Sequence, residues 1–82
     1  MSERLKFQGR LAEKELEAKT LKLRIEGMRD SIRSYLDPFE TIENLKARLI
    51  AGQAVDLSEY HAMYMDTLDD IRHLKKELGM KL

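Results

Sequence analysis

Four residues in the C-terminal third have the types and spacing of a divalent-metal site: Asp66, Asp69, Asp70 and His73. On a helix, Asp66 and Asp70 share a face, as do Asp69 and His73, and carboxylates and imidazole so placed can meet a cation. The same grouping is also the ordinary composition of a solvated acidic face, with a histidine near the helix end. We read it that way and expect no metal and no cofactor. His61, close to Met63 and Met65, reads as a surface or interface histidine, and the methionines as adaptable packing residues. Serines and threonines occur without an accompanying base and orienting group, and no glycine-rich phosphate loop is present. The chain has no cysteine, so it offers neither thiolate chemistry nor a disulfide framework. The sequence reads as non-catalytic.

Lys19, Lys22, Arg29 and Arg33 form a second set with chemical potential, because cations along one flank of a helix can track phosphates. Glu26 interrupts that line, the pI is about 6.7, and neither a recognition helix nor an aromatic stacking module accompanies it. The sequence therefore argues against nucleic acid. The net charge is zero but unevenly placed. Residues 1–36 hold nine Lys/Arg against six Asp/Glu, and residues 37–82 hold six against nine. Opposite-signed halves favour a chain that folds back on itself or pairs with a second copy. No apolar run approaches the length of a membrane span, and the N-terminal residues lack the apolar segment of a signal peptide, so no membrane association is expected and the cytoplasm is the default location.

These residues sit on a chain that reads as all-α and as one domain over residues 1–82, with charged residues at 37% and apolar ones at 43%. Three helices are expected, over roughly 3–36, 38–51 and 57–78. Asp37-Pro38-Phe39-Glu40 reads as a helix start, with Asp37 as N-cap, Pro38 at the first helical position and Glu40 completing a capping box. Pro38 also ends the preceding helix, which makes Asp37-Pro38 the hinge of the architecture. Gly52 reads as the residue that closes the second helix. Asp56 or Ser58 can cap the third, which ends at Gly79 behind Lys75 and Lys76. The first helix would be about 51 Å long and the other two together about 54 Å. The two shorter helices can return end to end as one arm of a hairpin, or turn again into a compact three-helix bundle. The hairpin is preferred because it covers the whole first helix.

The strongest pattern is a heptad seam in the first helix: Phe7, Leu11, Lys14, Ala18, Leu21, Ile25, Met28, Ile32 and Tyr35 alternate spacings of four and three. Over about four heptads this is coiled-coil spacing. A second apolar line, Leu5, Ala12, Leu16 and Leu23, runs over the outer face, with Leu16 and Leu23 opposite the seam. Phe39, Ile42, Leu45, Leu49 and Ile50 would supply the second helix, and Leu57, Tyr60, Met63, Tyr64, Leu68, Ile71, Leu74 and Leu78 the third. A chain this short buries a small core, and two apolar faces on one helix exceed it. Phe7, Leu11, Leu16, Ala18, Leu21, Leu23, Ile25, Met28 and Ile32 are accordingly the candidate oligomer or partner interface.

The stretch Leu21-Lys22-Leu23-Arg24-Ile25-Glu26-Gly27-Met28-Arg29-Asp30-Ser31-Ile32-Arg33-Ser34-Tyr35-Leu36-Asp37-Pro38 resembles small helical proteins from the early regions of Mu-like prophages. The resemblance covers about a quarter of the chain and implies a bacterial or phage cytoplasmic origin, no enzyme activity and no site residues. The expected function is a helical structural or interaction protein that self-associates through its long helix, with a dimer preferred. The alternative is a small regulator or chaperone-like module that binds a partner protein or, as the weaker option, nucleic acid. On the expected third helix, Tyr60, Met63, Tyr64 and Met65 would be its docking line.

Overall fold

The computed structural model describes residues 2–80. Two long α-helices fold back on each other: α1, Glu3–Tyr35, and α2, Ala47–Glu77, with a short 3-10 turn at Ile42–Asn44 in the connection. The hairpin measures 62 × 19 × 14 Å and has a radius of gyration of 18.2 Å. A compact chain of this length would have a radius near 12 Å. The returning arm is a single helix, so neither the three-helix bundle nor the separate second and third helices form. Among the described residues there is no strand, and no helix is long and apolar enough to cross a membrane.

Side-chain spacing accounts for both arms. In α1 the predicted seam is the face turned inward: Leu11, Ala18 and Leu21 are buried, and Phe7, Lys14, Ile25, Met28, Ile32 and Tyr35 half-buried. In α2 the inward residues are Ile50, Gln53, Leu57, Tyr60, Tyr64, Thr67, Ile71, Leu74 and Leu78, again in alternating steps of three and four. Two heptad faces of equal length thus cover one another, and burial of that shared stripe is the main source of stability. The register is visible in three cross-helix contacts: Lys14 to Asp70, Glu17 to Thr67 and Arg24 to Tyr60. From one to the next, α1 advances by three and then seven residues while α2 retreats by the same steps. The pairing is antiparallel and free of slip.

The ends follow local chemistry. The Ser2 hydroxyl accepts from the Arg4 N–H at 3.2 Å, capping α1, and Glu3 complements the dipole in the first turn. Gly79, at φ +70°, closes α2 as expected. The Gly79 N–H donates to the Lys76 carbonyl at 3.0 Å and the Met80 N–H to that of Lys75 at 2.8 Å, which together form a Schellman motif.

The expected helix over 38–51 is not formed at its start. The Asp37 carboxylate does accept from the Phe39 N–H at 2.9 Å, but it holds a turn. Glu40 does not reach back to complete a capping box. Its carboxylate accepts forward, from the Thr41 N–H at 3.0 Å and from Asn44 Nδ2 at 3.3 Å. Thr41 and Leu45 are extended, and α2 begins only after Lys46. The adjacent β-branched residues Thr41 and Ile42 disfavour helix. The expected stop at Gly52 is also absent. Gly52 lies in the second turn of α2, on an exposed position between the inward residues Ile50 and Gln53. A stop there would detach Ile50 from the seam, so packing overrides the glycine's poor helix propensity. Gly27 is likewise exposed mid-helix, and apart from the adjacent backbone of its own helix no described atom lies within 4 Å of a Cβ built there. It marks no close approach.

Candidate interaction interface

Of the nine candidate interface residues, the structure brings Phe7, Leu11, Ala18, Leu21, Ile25, Met28 and Ile32 together on the seam, where they face α2 of the same chain. Leu16 and Leu23 stay on the outer face, 67% and 63% exposed, with Leu5 exposed further along. The candidate set is therefore two surfaces, one already occupied within the hairpin and one open.

The line Tyr60, Met63, Tyr64 and Met65 does not form one docking face. Tyr60 and Tyr64 point into the seam, and Tyr60 accepts a hydrogen bond from Arg24 Nη1 at 3.0 Å beneath the same guanidinium, which sits 4.8 Å from its ring centroid. Met63 and Met65 are exposed and belong to opposite flanks of α2. The hairpin tip offers what sequence reading assigned to a core. Phe39 is 93% exposed and Ile42 81%, with Leu36, Leu45 and Leu49 also open.

Asp66, Asp69, Asp70 and His73 are directed to different partners. The Asp69 carboxylate accepts from Arg72 Nη1 at 3.1 Å, and its carbonyl lies 2.8 Å from His73 Nδ1. Asp70 is 3.3 Å from Lys14 Nζ on the other helix. Among the described residues no three His, Asp or Glu side chains converge on a common point.

Lys14 is the one charge in the α1 seam, and it is held by Asp70 and by Glu17 at 3.4 Å. Hydrogen bonding to Asp70, and then to Glu17, keeps its ammonium above the ordinary lysine range. A raised lysine stabilises the fold below its unfolded value of 10.5 and loses that contribution as pH climbs past the folded value. The pairing therefore acts throughout the neutral range.

The two flanks of the hairpin carry opposite charge, with most of the cations on one flank supplied by α1 and most of the carboxylates on the other by α2. On the side marked by a groove between Ile25, Arg29, Ala54, Leu57, Ser58 and His61, the heptad flank positions of both helices hold Lys19, Lys22, Arg29, Arg33, Arg72 and Lys75 against Glu15 and Glu26, a net +4. The other side, marked by Lys14, Asp70 and His73, holds eight carboxylates, among them Glu13, Glu17, Asp56, Glu59 and Asp66, against Lys6, Arg10 and Arg24, a net −5. Lys14, leaning out from the seam, brings it to −4. Sequence reading found the first four cations but missed Arg72 and Lys75, because only the antiparallel register puts them on the same side.

Comparison of the chain with protein-family models, with curated proteins and with solved structures finds no match.

Proposed function

We propose that this protein is a non-catalytic helical interaction module that associates with copies of itself through the outer face of α1. The observation that supports this reading is exposed area. The hairpin leaves 6732 Å² accessible, whereas a folded monomer of 9.6 kDa exposes about 5,100 Å². The excess is about twice what each partner hides in a standard protein interface. The line of Leu5, Leu16 and Leu23 gives that surface an apolar centre. The likeness of residues 21–38 to Mu-like prophage early proteins agrees with a bacterial or phage cytoplasmic setting and adds no partner.

Sedimentation equilibrium at micromolar concentration tests the reading. The expected mass is a multiple of the 9.6 kDa monomer, and it decreases in the Leu16→Lys, Leu23→Lys variant. A wild-type chain that sediments as a monomer removes the self-association, and an unchanged mass in the variant removes this face.

A second reading, capture of a partner protein, is favoured by the exposed tip. Phe39 and Ile42 form an apolar knob at one end of a rod, presented by an ordered turn. A pull-down with the whole chain as bait and Phe39→Ser, Ile42→Ser as control distinguishes it. A protein retained equally by both baits does not use the tip.

A further inference from the structure

The charge separation described above lies across the rod, so each hairpin carries two unlike sides that complement one another. On the basic side, Ile25, Ala54 and Leu57 floor a groove of about 330 Å³ with Arg29, Ser58 and His61 on its rim. On the acidic side, the outward edge of α2 reads Asp56, Glu59, Met63, Asp66, again in steps of three and four, with Met63 exposed between the carboxylates. The lengths match. Lys22 to Arg33 spans eleven residues of α1, about 16 Å, and Asp56 to Asp66 spans ten residues of α2, about 15 Å.

We propose that the basic flank of one hairpin is the docking groove for the acidic α2 edge of a second copy. Met63 of the second copy seats over Ile25, Ala54 and Leu57, and its Asp56, Glu59 and Asp66 meet Lys22, Arg29 and Arg33. Methionine suits such a groove because its unbranched, polarisable side chain adapts to an irregular floor. The proposal rests on the self-association reading and adds its geometry. Groove and edge lie on opposite flanks of the same molecule, so the contact is heterologous: every docked copy still offers one free groove or one free edge. Association therefore proceeds beyond the dimer and depends on salt, since exposed charge pairs are screened within about 10 Å at 0.1 M salt. Two copies placed basic flank to basic flank would repel, which excludes a symmetric pairing on this side.

The test is sedimentation velocity on the full chain and two charge variants, with circular dichroism confirming that each remains helical. One variant, Lys22→Gln with Arg29→Gln, spoils the groove, and the other, Asp56→Asn with Glu59→Gln, spoils the edge, neither creating a new complementary charge. All four positions are exposed in the hairpin. Each variant alone should lose the species larger than those formed through Leu16 and Leu23, with affinity reduced about tenfold or more, and 0.5 M salt should do the same to the wild type. Mixed one to one, the variants possess one intact groove and one intact edge between them. They should regain a single groove-to-edge contact and stop there, as a capped pair. Charge variants that associate like the wild type overturn the proposal, as does a mixture that stays as dissociated as its components. Loss of all association in Leu16→Lys, Leu23→Lys with no effect of charge or salt leaves the outer-face reading standing and removes this one. Binding of a short duplex DNA by the basic flank, with no charge-dependent assembly, assigns the flank to nucleic acid and overturns it as well.

Discussion

Gln53 shows how a single side chain registers the difference between a helix end and a helix interior. Sequence reading put it in a linker, where a polar residue is at ease. In the hairpin it is a seam residue between Ile50 and Leu57, and among the described residues its Oε1 is buried without a hydrogen-bond partner. A buried acceptor without a donor costs about 1–3 kcal/mol. Gln53→Leu should therefore stabilise the hairpin by about 1–2 kcal/mol, raising the thermal midpoint by several degrees. A midpoint that falls would mean that the amide is satisfied in solution. Thr67 is the contrasting case. It is buried more deeply, at 3% exposure, but its hydroxyl donates to the Met63 carbonyl at 2.9 Å, with Glu17 Oε1 at 3.4 Å. With Ala18 buried on the facing helix beside Glu17, it forms a layer of small side chains in the middle of the seam.

At the scale of the element, the lesson lies in the glycines. Gly52 and Gly79 both read as helix terminators, and only Gly79 is one. What separates them is invisible in the glycine itself. Gly79 follows Leu78, the last seam residue among those described, whereas Gln53, Leu57 and Tyr60 carry the phase of Ile50 straight through Gly52. The α1 seam was legible because nine residues of one phase lie in one uninterrupted helix. The α2 seam was legible in part. Leu57, Tyr60, Tyr64, Ile71, Leu74 and Leu78 read as one face, but their continuity with Ile50 does not, because Gln53 is a polar member of the seam and Asp56 offers a competing capping motif. Substitution separates the two glycines by sign. Gly52→Ala, in an exposed helix interior with no described atom beyond the adjacent backbone of its own helix within 4 Å of the new Cβ, should stabilise by about 1 kcal/mol. Gly79→Ala, at φ +70°, should destabilise by about 1 kcal/mol, because an L side chain pays for that conformation. Urea titrations of the two variants check both. A Gly52→Ala variant less stable than wild type would place the helix end where the sequence first suggested it.

The whole molecule turns on eleven residues, 36–46, that belong to neither arm. Continuing the α1 heptad beyond Tyr35 gives Phe39, Ile42, Lys46 and Leu49, so the exposed tip residues are in phase with a seam that has stopped. From Ile42 through Lys46 to Ile50 and Gln53, one extra residue joins the α1 phase to that of α2, which is a single stutter of the kind a long coiled coil absorbs. The side-chain pattern is thus compatible with one continuous helix. What forbids it is local: Pro38 lacks an N–H and would clash with the carbonyl of Ser34, at about 3 kcal/mol, and the Asp37 carboxylate holds the turn through the Phe39 N–H. The replacement Asp37→Ala with Pro38→Ala removes both obstacles. A straightened chain keeps every seam pairing only by exchanging arms with a second copy, in the same antiparallel register and with the former tips meeting at the centre. The double variant should therefore double its mass and approach a length of about 110 Å, the reach of one helix over residues 3–77, against 62 Å for the hairpin. Small-angle scattering with light scattering on the same sample measures both. If the variant keeps the wild-type mass and maximum dimension, Thr41 and Ile42 are enough to hold the turn open, and the hinge is spread along the connection instead of residing at Asp37-Pro38.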